Sequence, residues 1–218
     1  EAPASAAKAY RENAGLSVLK PDQLLPIIPT PAHFSQGKGS FSLEGKAIHY
    51  ASSLKNEADI LSARLKEITG KDFAVSEGTA DNESIYLSVD PSAVKEKKKE
   101  AYQLSISENG VAITGADAAG VFYGIQSLLA LIPPPVYLNK NEQAAVPFVT
   151  IDDAPRFGFR SVHLDVSRNF QEKETVFRVL DVMAQYKLNH FLLYTSEDEG
   201  WRVEIPGLPE LTEVGAQR

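Results

Sequence analysis

The chain shows two different patterns of apolar and polar residues, and the pattern changes near residue 150. In the first pattern, runs with a period of two predict β-strands at residues 46–50, 73–75, 85–89, 102–106 and 111–113. Helical spacing of apolar residues predicts one helix over 56–69, with Gly70 as its C-terminal stop, and another over 117–132. The first pattern therefore predicts short strands and two amphipathic helices that share a core.

Turn and breaker residues set the order of these elements. Asn109-Gly110 separates two alternating runs and predicts a hairpin, since Asn-Gly readily adopts the positive φ angles of a tight turn. Three prolines within 26–31 indicate an extended segment, and residues 133–135, all proline, end the second helix. The order β-α-β-β-β-β-α predicts a small α+β domain over 21–150, with helices on one face of a mainly antiparallel sheet. The Ala-rich residues 1–20 are expected to form a linker or a processed N-terminal segment.

The second pattern follows a Pro- and Asn-containing connector at residues 133–147. Ser161–Val166 and Phe191–Tyr194 are nearly continuous apolar runs, and they flank an amphipathic helix predicted over 171–187. The helix residues expected to face inward are Val176, Val179, Leu180, Met183 and Tyr186. Apolar strands on both sides of such a helix predict a parallel βαβ unit that is buried on both faces.

A parallel βαβ unit usually opens a larger sheet or barrel. A complete (β/α)8 barrel takes about 250 residues, whereas only 68 residues follow Thr150. The predicted fold class is therefore α+β: an antiparallel-sheet and helix domain, followed over 151–218 by the first βαβ unit of an incomplete TIM barrel.

Composition and charge argue against several classes of function, namely nucleic-acid binding, cysteine chemistry, metal binding and membrane spanning. The net charge is −7, and Glu96 interrupts the one basic run, Lys95–Lys99, which therefore indicates a solvated helix end or loop and no nucleic-acid partner. The chain has no cysteine, which excludes disulfides, thiolate nucleophiles and cysteine-based zinc sites. Its four histidines lie in different predicted elements without ligand spacing, so neither a metal nor a cofactor is expected. No apolar run approaches the roughly 20 residues that a membrane span requires.

Two long motifs carry a resemblance to a known family. Ile151–Phe170 is similar to the pattern D-x-P-R-F-x-x-R-G-x-x-x-D-x-x-R-H-F, and Met183–Ile205 is similar to M-A-x-Y-K-L-N-x-F-H-W-H-L-x-D-D-x-G-W-R-x-E-I. Both patterns belong to the start of the catalytic barrel in glycoside hydrolase family 20. Tyr102–Leu131 resembles the end of that family's non-catalytic α+β domain, and Pro206–Gly215 is closest to its bacterial chitobiase branch. The chain is thus identified as an N-terminal fragment of a β-N-acetylhexosaminidase of this family.

The resemblance implies a substrate-binding role for two residues. Arg168 matches the arginine that clamps hydroxyls of a terminal N-acetylhexosamine, and Glu197 matches an acidic residue near the same sugar. A guanidinium suits this task because its rigid fork of donors can hold two vicinal oxygens. Both residues follow predicted barrel strands, at the end where barrel active sites lie.

The implied reaction is the removal of terminal GlcNAc or GalNAc from chitooligosaccharides or other glycans by a retaining, substrate-assisted mechanism. In the family, the Asp-Glu pair that performs the chemistry follows a His-x-Gly-Gly run, and no such run occurs in these 218 residues. No catalytic residue is therefore predicted within this chain, and the chain alone is predicted to be inactive.

A purely structural role is the alternative for each of the following residues. Arg168 can also be read as a structural ion-pair partner of Asp165 or Glu197, and Asp198 and Glu199 as a solvated acidic loop. The same reading makes Trp201 a packing residue and Arg160 a structural residue.

The sequence departs from the family pattern at three places. Leu192–Tyr194 replaces H-W-H, Glu197 replaces the first aspartate of the D-D pair, and Asn169 replaces the histidine after the clamp arginine. Because binding sites respond to shifts near 1 Å, these changes are expected to affect sugar specificity and activity while leaving the fold intact.

The resemblance also implies an exported protein, periplasmic or extracellular. An alternative function is a non-catalytic carbohydrate- or protein-binding module. A further alternative is self-association, or docking with a second chain that completes the barrel, because an open parallel sheet exposes apolar faces and unpaired strand edges.

Overall fold

The computed structural model describes residues 5–17 and 25–217, and most of the described chain forms one sheet with its covering helices. The predicted linker over 1–20 falls partly outside the described residues. Within the described part of that linker, α1 (Ala6–Asn13) is a helix without a buried residue.

Seven strands form the sheet, in the spatial order β1-β7-β5-β6-β4-β2-β3. Their bounds are β1 His33–Ser42, β2 Ile48–Tyr50, β3 Val75–Glu77, β4 Ser84–Val89, β5 Tyr102–Ser107, β6 Gly110–Gly115 and β7 Ala145–Asp153. The pairs β2–β3, β2–β4 and β4–β6 are parallel, whereas β5–β6, β5–β7 and β1–β7 are antiparallel. The sheet is therefore mixed, so the predicted mainly antiparallel sheet is corrected. The cause is the crossover helix between β2 and β3, which returns the chain in the same direction.

Two helices cover one face of this sheet, which agrees with the predicted α+β class. They are α2 (Lys55–Thr69) and α3 (Ala118–Ala130), which contact each other and the strands beneath them. The fully buried residues include Leu61, Leu65, Ile113, Ile125 and Leu128. Helix α2 ends at Gly70, whose φ of 74° is left-handed, and this confirms the predicted stop. The Asn109-Gly110 hairpin is also confirmed, since Ser107 pairs with Gly110.

The sequence interpretation missed the antiparallel pair of β1 and β7 at one edge of the sheet. Eight of the ten residues of β1 are exposed, so the strand shows no alternation of apolar and polar residues. β7 begins in the last three residues of the predicted connector, 145–147, and continues to Asp153. It contains Pro147, a residue that is uncommon inside strands. A short helix, α4 (Pro134–Leu138), also begins within the run of prolines that ends α3.

The second part of the chain contains the predicted parallel βαβ unit. It consists of β8 (Ser161–Asp165), α5 (Lys173–Gln185) and β9 (His190–Tyr194), followed by the two-residue strands β10 (Ser196–Glu197) and β11 (Gly200–Trp201) and by α6 (Glu210–Glu213). β8 and β9 are parallel, with Asp165 opposite Tyr194. We call residues 33–153 the sheet unit and residues 157–217 the βαβ unit.

The expected burial of the βαβ unit on both faces is wrong. Met183 is the only buried residue of α5, and Leu180 and Tyr186 are 41% and 44% exposed. Leu192 on β9 is 57% exposed. The reason is that, among the described residues, β8 and β9 pair only with each other, so much of their apolar surface has no covering layer.

Candidate functional site

The two residues expected to bind substrate meet at the carboxyl ends of β8 and β9. Arg168 lies three residues after β8, and Glu197 lies three residues after β9. The Nη2 of Arg168 donates a hydrogen bond to Oε2 of Glu197. The Arg168 side chain is 50% exposed, whereas that of Glu197 is 15% exposed. A parallel βαβ unit brings both loops to the same edge of its sheet, which explains a contact between residues 29 positions apart.

Asp165 organises the turn that carries Arg168. Its Oδ1 accepts the backbone N–H groups of Ser167 and Arg168, each at 3.0 Å. Its Oδ2 accepts a hydrogen bond from Nη1 of Arg168 at 2.5 Å. The backbone N–H of Arg168, together with the side chain and charge of that residue, lowers the pKa of Asp165. Asp165 therefore stays ionised at neutral pH and fixes both the backbone and the guanidinium of Arg168.

Tyr194 completes this cluster, although the sequence interpretation named it only as a departure from the family pattern. Its hydroxyl donates to Oε2 of Glu197 at 3.1 Å, and its ring centroid lies 5.4 Å from Cζ of Arg168. The ring of His163 packs edge-on against it at 5.8 Å between centroids. Tyr194 and Arg168 therefore both donate to the same oxygen of Glu197.

We call Asp165, Arg168, Tyr194 and Glu197 the clamp cluster. It presents a half-exposed guanidinium between two carboxylates, and a tyrosine ring lies beneath the guanidinium. This arrangement offers donors and acceptors side by side, as neighbouring hydroxyl groups require.

Within residues 5–17 and 25–217, no group of three His, Asp or Glu side chains could hold a metal ion. The described helices also include none that is long and apolar enough to cross a membrane.

The other residues considered in the sequence analysis lie outside the clamp cluster. Asp198 and Glu199 are exposed, which agrees with the solvated-loop reading. Trp201 is partly buried, and its Nε1 donates to the carbonyl oxygen of Val203 at 2.6 Å. Arg160 directly precedes β8, at the end of that strand opposite Asp165.

A polar joint connects the βαβ unit to the sheet unit. Arg160 pairs with Glu100 at 2.8 Å, and its Nε donates to the carbonyl oxygen of Lys187 at 2.7 Å. The Nδ2 of Asn189 donates to Oε1 of Glu100 at 3.1 Å. The ammonium of Lys187 contacts both Tyr102 and Asp153 in the sheet unit. These residues lie at the amino ends of β8 and β9, so the joint anchors the strands at the end opposite the clamp cluster.

A cavity of about 510 Å³ opens at this joint. Its wall includes Tyr102, Asp153, Arg160 and Lys187. Lys187 already binds Tyr102 and Asp153, and Arg160 binds Tyr123. No buried side-chain donor or acceptor in the described residues lacks a partner. We therefore assign the cavity to the joint and not to a second ligand site.

Two family models match consecutive parts of the chain. Residues 24–154 match "Glycosyl hydrolase family 20, domain 2", and residues 157–218 match "Glycosyl hydrolase family 20, catalytic domain". The change between the two matches falls directly after β7.

Similar proteins give the same picture. A beta-hexosaminidase of Vibrio vulnificus is 40% identical over 193 residues, which cover 88% of this chain and 21% of that protein. The N,N'-diacetylchitobiase of Vibrio harveyi is 35% identical over 218 residues, covering 99% of this chain and 23% of that protein. A mutant Streptomyces plicatus beta-hexosaminidase, solved with its product GlcNAc, superposes with a TM-score of 0.74 at 32% identity over 87% of this chain and 38% of that one. The chain thus spans about a fifth of the length of these curated relatives.

Proposed function

Because the chain belongs to glycoside hydrolase family 20, we propose that it forms the N-terminal part of a β-N-acetylhexosaminidase and that its clamp cluster holds the terminal N-acetylhexosamine of the substrate. In this proposal, residues 21–150 form the non-catalytic α+β domain, residues 151–218 begin the catalytic barrel, and residues 1–20 are a linker or processed segment.

The observation that carries the proposal is that Arg168, although paired with Glu197, keeps half of its side chain exposed; the ion pair alone fits a structural role equally well. The two residues come from loops after different strands, yet they form one polar surface that is partly open to solvent. The guanidinium is fixed in place by Asp165. A fixed and half-exposed guanidinium can donate two parallel hydrogen bonds to vicinal sugar oxygens without losing much side-chain entropy on binding. Glu197 lies beside it as an acceptor for the hydrogen of a sugar hydroxyl.

The chemistry expected of the complete enzyme is substrate-assisted. The oxygen of the substrate's own 2-acetamido group attacks the anomeric carbon, an acidic residue protonates the leaving oxygen, and water then opens the cyclic intermediate with retention of configuration. The acid/base glutamate and its neighbouring aspartate follow a His-x-Gly-Gly run, which the 218 residues do not contain. We therefore propose that the clamp cluster contributes sugar binding and that this chain alone does not hydrolyse an aryl N-acetylglucosaminide.

The named relatives suggest the substrate class. One relative is an N,N'-diacetylchitobiase, and the solved Streptomyces plicatus enzyme contains GlcNAc as its product. We propose a terminal GlcNAc or GalNAc on a chitooligosaccharide or another glycan as the group bound by the clamp cluster.

We also propose an exported location, periplasmic or extracellular, which fractionation of expressing cells can test.

One observation favours an additional role for the exposed surface of the βαβ unit. Phe159, Phe177 and Leu192 are 68%, 52% and 57% exposed. Apolar residues on neighbouring elements with unpaired strand edges favour contact with another polypeptide. A non-catalytic binding module, self-association and a complementing barrel chain remain the candidate roles of this surface.

The test of sugar binding is a titration of the isotope-labelled chain with GlcNAc, followed by the backbone amide resonances. We expect shifts at residues 165–168 and 194–197 and none in the hairpin of β5 and β6. Glu197→Gln should weaken the response, whereas Glu67→Gln, an exposed glutamate on α2, is the matched control. Shifts spread evenly over the chain, or an unchanged response of the Glu197→Gln variant, would reject the clamp assignment. Turnover of an aryl N-acetylglucosaminide by the chain would reject its inactivity.

A further inference from the structure

A second arginine lies behind the clamp cluster and contacts the backbone that carries it. The guanidinium of Arg202 donates from Nε to the carbonyl oxygen of Val166 at 3.2 Å and from Nη2 to that of Ser167 at 3.0 Å. Its Nη1 donates to the carbonyl oxygen of Ala216. Val166 and Ser167 are both buried, and they directly precede Arg168. One side chain therefore satisfies the two backbone carbonyls where the chain leaves β8.

The backbone of Arg202 is tied to the other strand of the unit. Its N–H donates to the carbonyl oxygen of Thr195, which follows β9, at 2.9 Å. Thr195 lies two residues before Glu197. Arg202 is consequently bonded to the end of β8 through its side chain and to the end of β9 through its main chain, and these are the two ends that present Arg168 and Glu197.

Gly200 shows that the packing around this guanidinium is close. A Cβ atom at residue 200 would lie 2.6 Å from Nη2 of Arg202 and 2.8 Å from the carbonyl oxygen of Ser167. The hydroxyl of Ser167 also donates to the carbonyl oxygen of Gly200. The guanidinium can therefore reach the end of β8 only because residue 200 has no side chain.

A lysine could not replace Arg202 in this arrangement. The three accepting carbonyls belong to different segments, and a planar fork with donors on three nitrogens reaches them together, whereas an ammonium offers its donors from one point. The ring of Phe170 lies on the guanidinium, with 5.4 Å between Cζ and the ring centroid. This contact holds the plane of the fork in one orientation.

We propose that Arg202 is a positioning residue for sugar binding, which sets the relative placement of Arg168 and Glu197 without touching the sugar itself. This inference rests on the proposed function of the clamp cluster. It predicts that the shape of the guanidinium matters, and not only its charge, because every hydrogen bond described for it ends on a backbone oxygen.

The test compares Arg202→Lys with a matched control, Arg178→Lys, on the exposed side of α5. The first readout needs no sugar: it is the pKa of Asp165, followed by the NMR signal of its carboxyl carbon. Loss of the fork should let residues 166–168 relax, weaken the N–H bonds to Asp165, and raise its pKa toward 3.8. The second readout is the affinity for GlcNAc, which we expect to fall by about tenfold or more, since small misplacements of binding groups have large effects.

Gly200→Ala provides an independent variant, because it displaces the guanidinium while leaving all charges unchanged. It should reproduce both effects of Arg202→Lys. Hydrogen-exchange protection of β8 and β9 reports whether the βαβ unit keeps its fold in each variant. The inference is overturned if Arg202→Lys and Gly200→Ala keep both the Asp165 pKa and the GlcNAc affinity of the wild type. If the wild-type chain shows no response to GlcNAc, the proposed function fails, and the Asp165 pKa alone decides whether Arg202 positions the turn.

Discussion

Lys187 donates a hydrogen bond from its buried ammonium to the hydroxyl oxygen of Tyr102 at 2.8 Å, which links the start of β9 to the first residue of β5. The same ammonium lies 3.2 Å from Oδ2 of Asp153, the last residue of β7. Tyr102 donates in turn to Asp153 at 3.0 Å. Lys187 adopts a φ of 58°, which is unfavourable for a residue with a side chain, and its contacts offset this cost.

Lys187→Met should destabilise the fold. Methionine keeps an unbranched chain at the same backbone angle, so the change isolates the lost charge and hydrogen bonds. Asp153 would then remain largely buried without its cation, and breaking such a pair costs about 3 kcal/mol. Urea unfolding at neutral pH measures the loss. Lys55→Met, at an exposed pair on α2, should leave the midpoint unchanged, and an equal effect of the two substitutions would contradict the assignment.

The titration of Lys187 should report its burial. Desolvation lowers its pKa below 10.5, while the charge of Asp153 opposes that shift. Between the lowered pKa and 10.5 the unfolded chain binds more protons than the folded chain, so this group makes stability increase with pH in that window. Asp153→Asn should lower the pKa further. NMR of the Lys187 ammonium measures it, and a higher pKa in Asp153→Asn would refute the predicted direction.

Arg168→Ala should shift the pKa of Asp165 upward by only part of its depression. The leading cause of that depression is the backbone N–H of residue 168, which remains in the alanine variant, as does the N–H of Ser167. Because the folded-state pKa is lowered, this carboxyl stabilises the fold above its ordinary pKa, and the contribution is lost as pH falls through the lowered value. A carboxyl-carbon titration measures both chains. A complete return to the ordinary pKa would show that the guanidinium alone was responsible.

The exposed apolar surface of the βαβ unit should make the isolated chain associate. Light scattering at increasing concentration should give a rising average mass, and Leu192→Glu should reduce it, since residue 192 is exposed on β9. Leu138→Glu is the control, because Leu138 is exposed on α4, outside this surface. A monomer at every concentration would mean that this surface does not drive self-association.

Local signals predicted the fold better than they predicted long-range pairing. The helix that ends at Gly70 and the hairpin at Asn109-Gly110 are each specified by residues close in sequence, and both are confirmed. β1 was missed because its residues are mostly exposed and show no alternation, and its pairing with β7 spans more than 100 residues. The parallel direction of β2 and β4 likewise depends on how α2 crosses the sheet, which strand patterns do not encode.

For the site as well, the sequence predicted some contacts and missed others. The motif spacing predicted that Arg168 and Glu197 would lie at the same edge of the βαβ unit, and the structure brings them into contact. The joint at Lys187 had no local signal, since a lone lysine after a helix normally indicates a solvated residue, and its partner Tyr102 lies 85 positions upstream. The sequence indicated Arg202 only as one position of the second family motif. Its partners are backbone carbonyl oxygens, which every residue has, so the sequence gives no sign of the contacts.

The most direct test of sugar binding by the clamp cluster is the Nε–Hε resonance of Arg168 during titration with GlcNAc. We predict a saturable shift of this resonance with GlcNAc, and loss of measurable GlcNAc binding in Arg168→Ala but not in Arg178→Ala. An Arg168 resonance that does not respond to GlcNAc, or equal binding by the two alanine variants, would contradict the account.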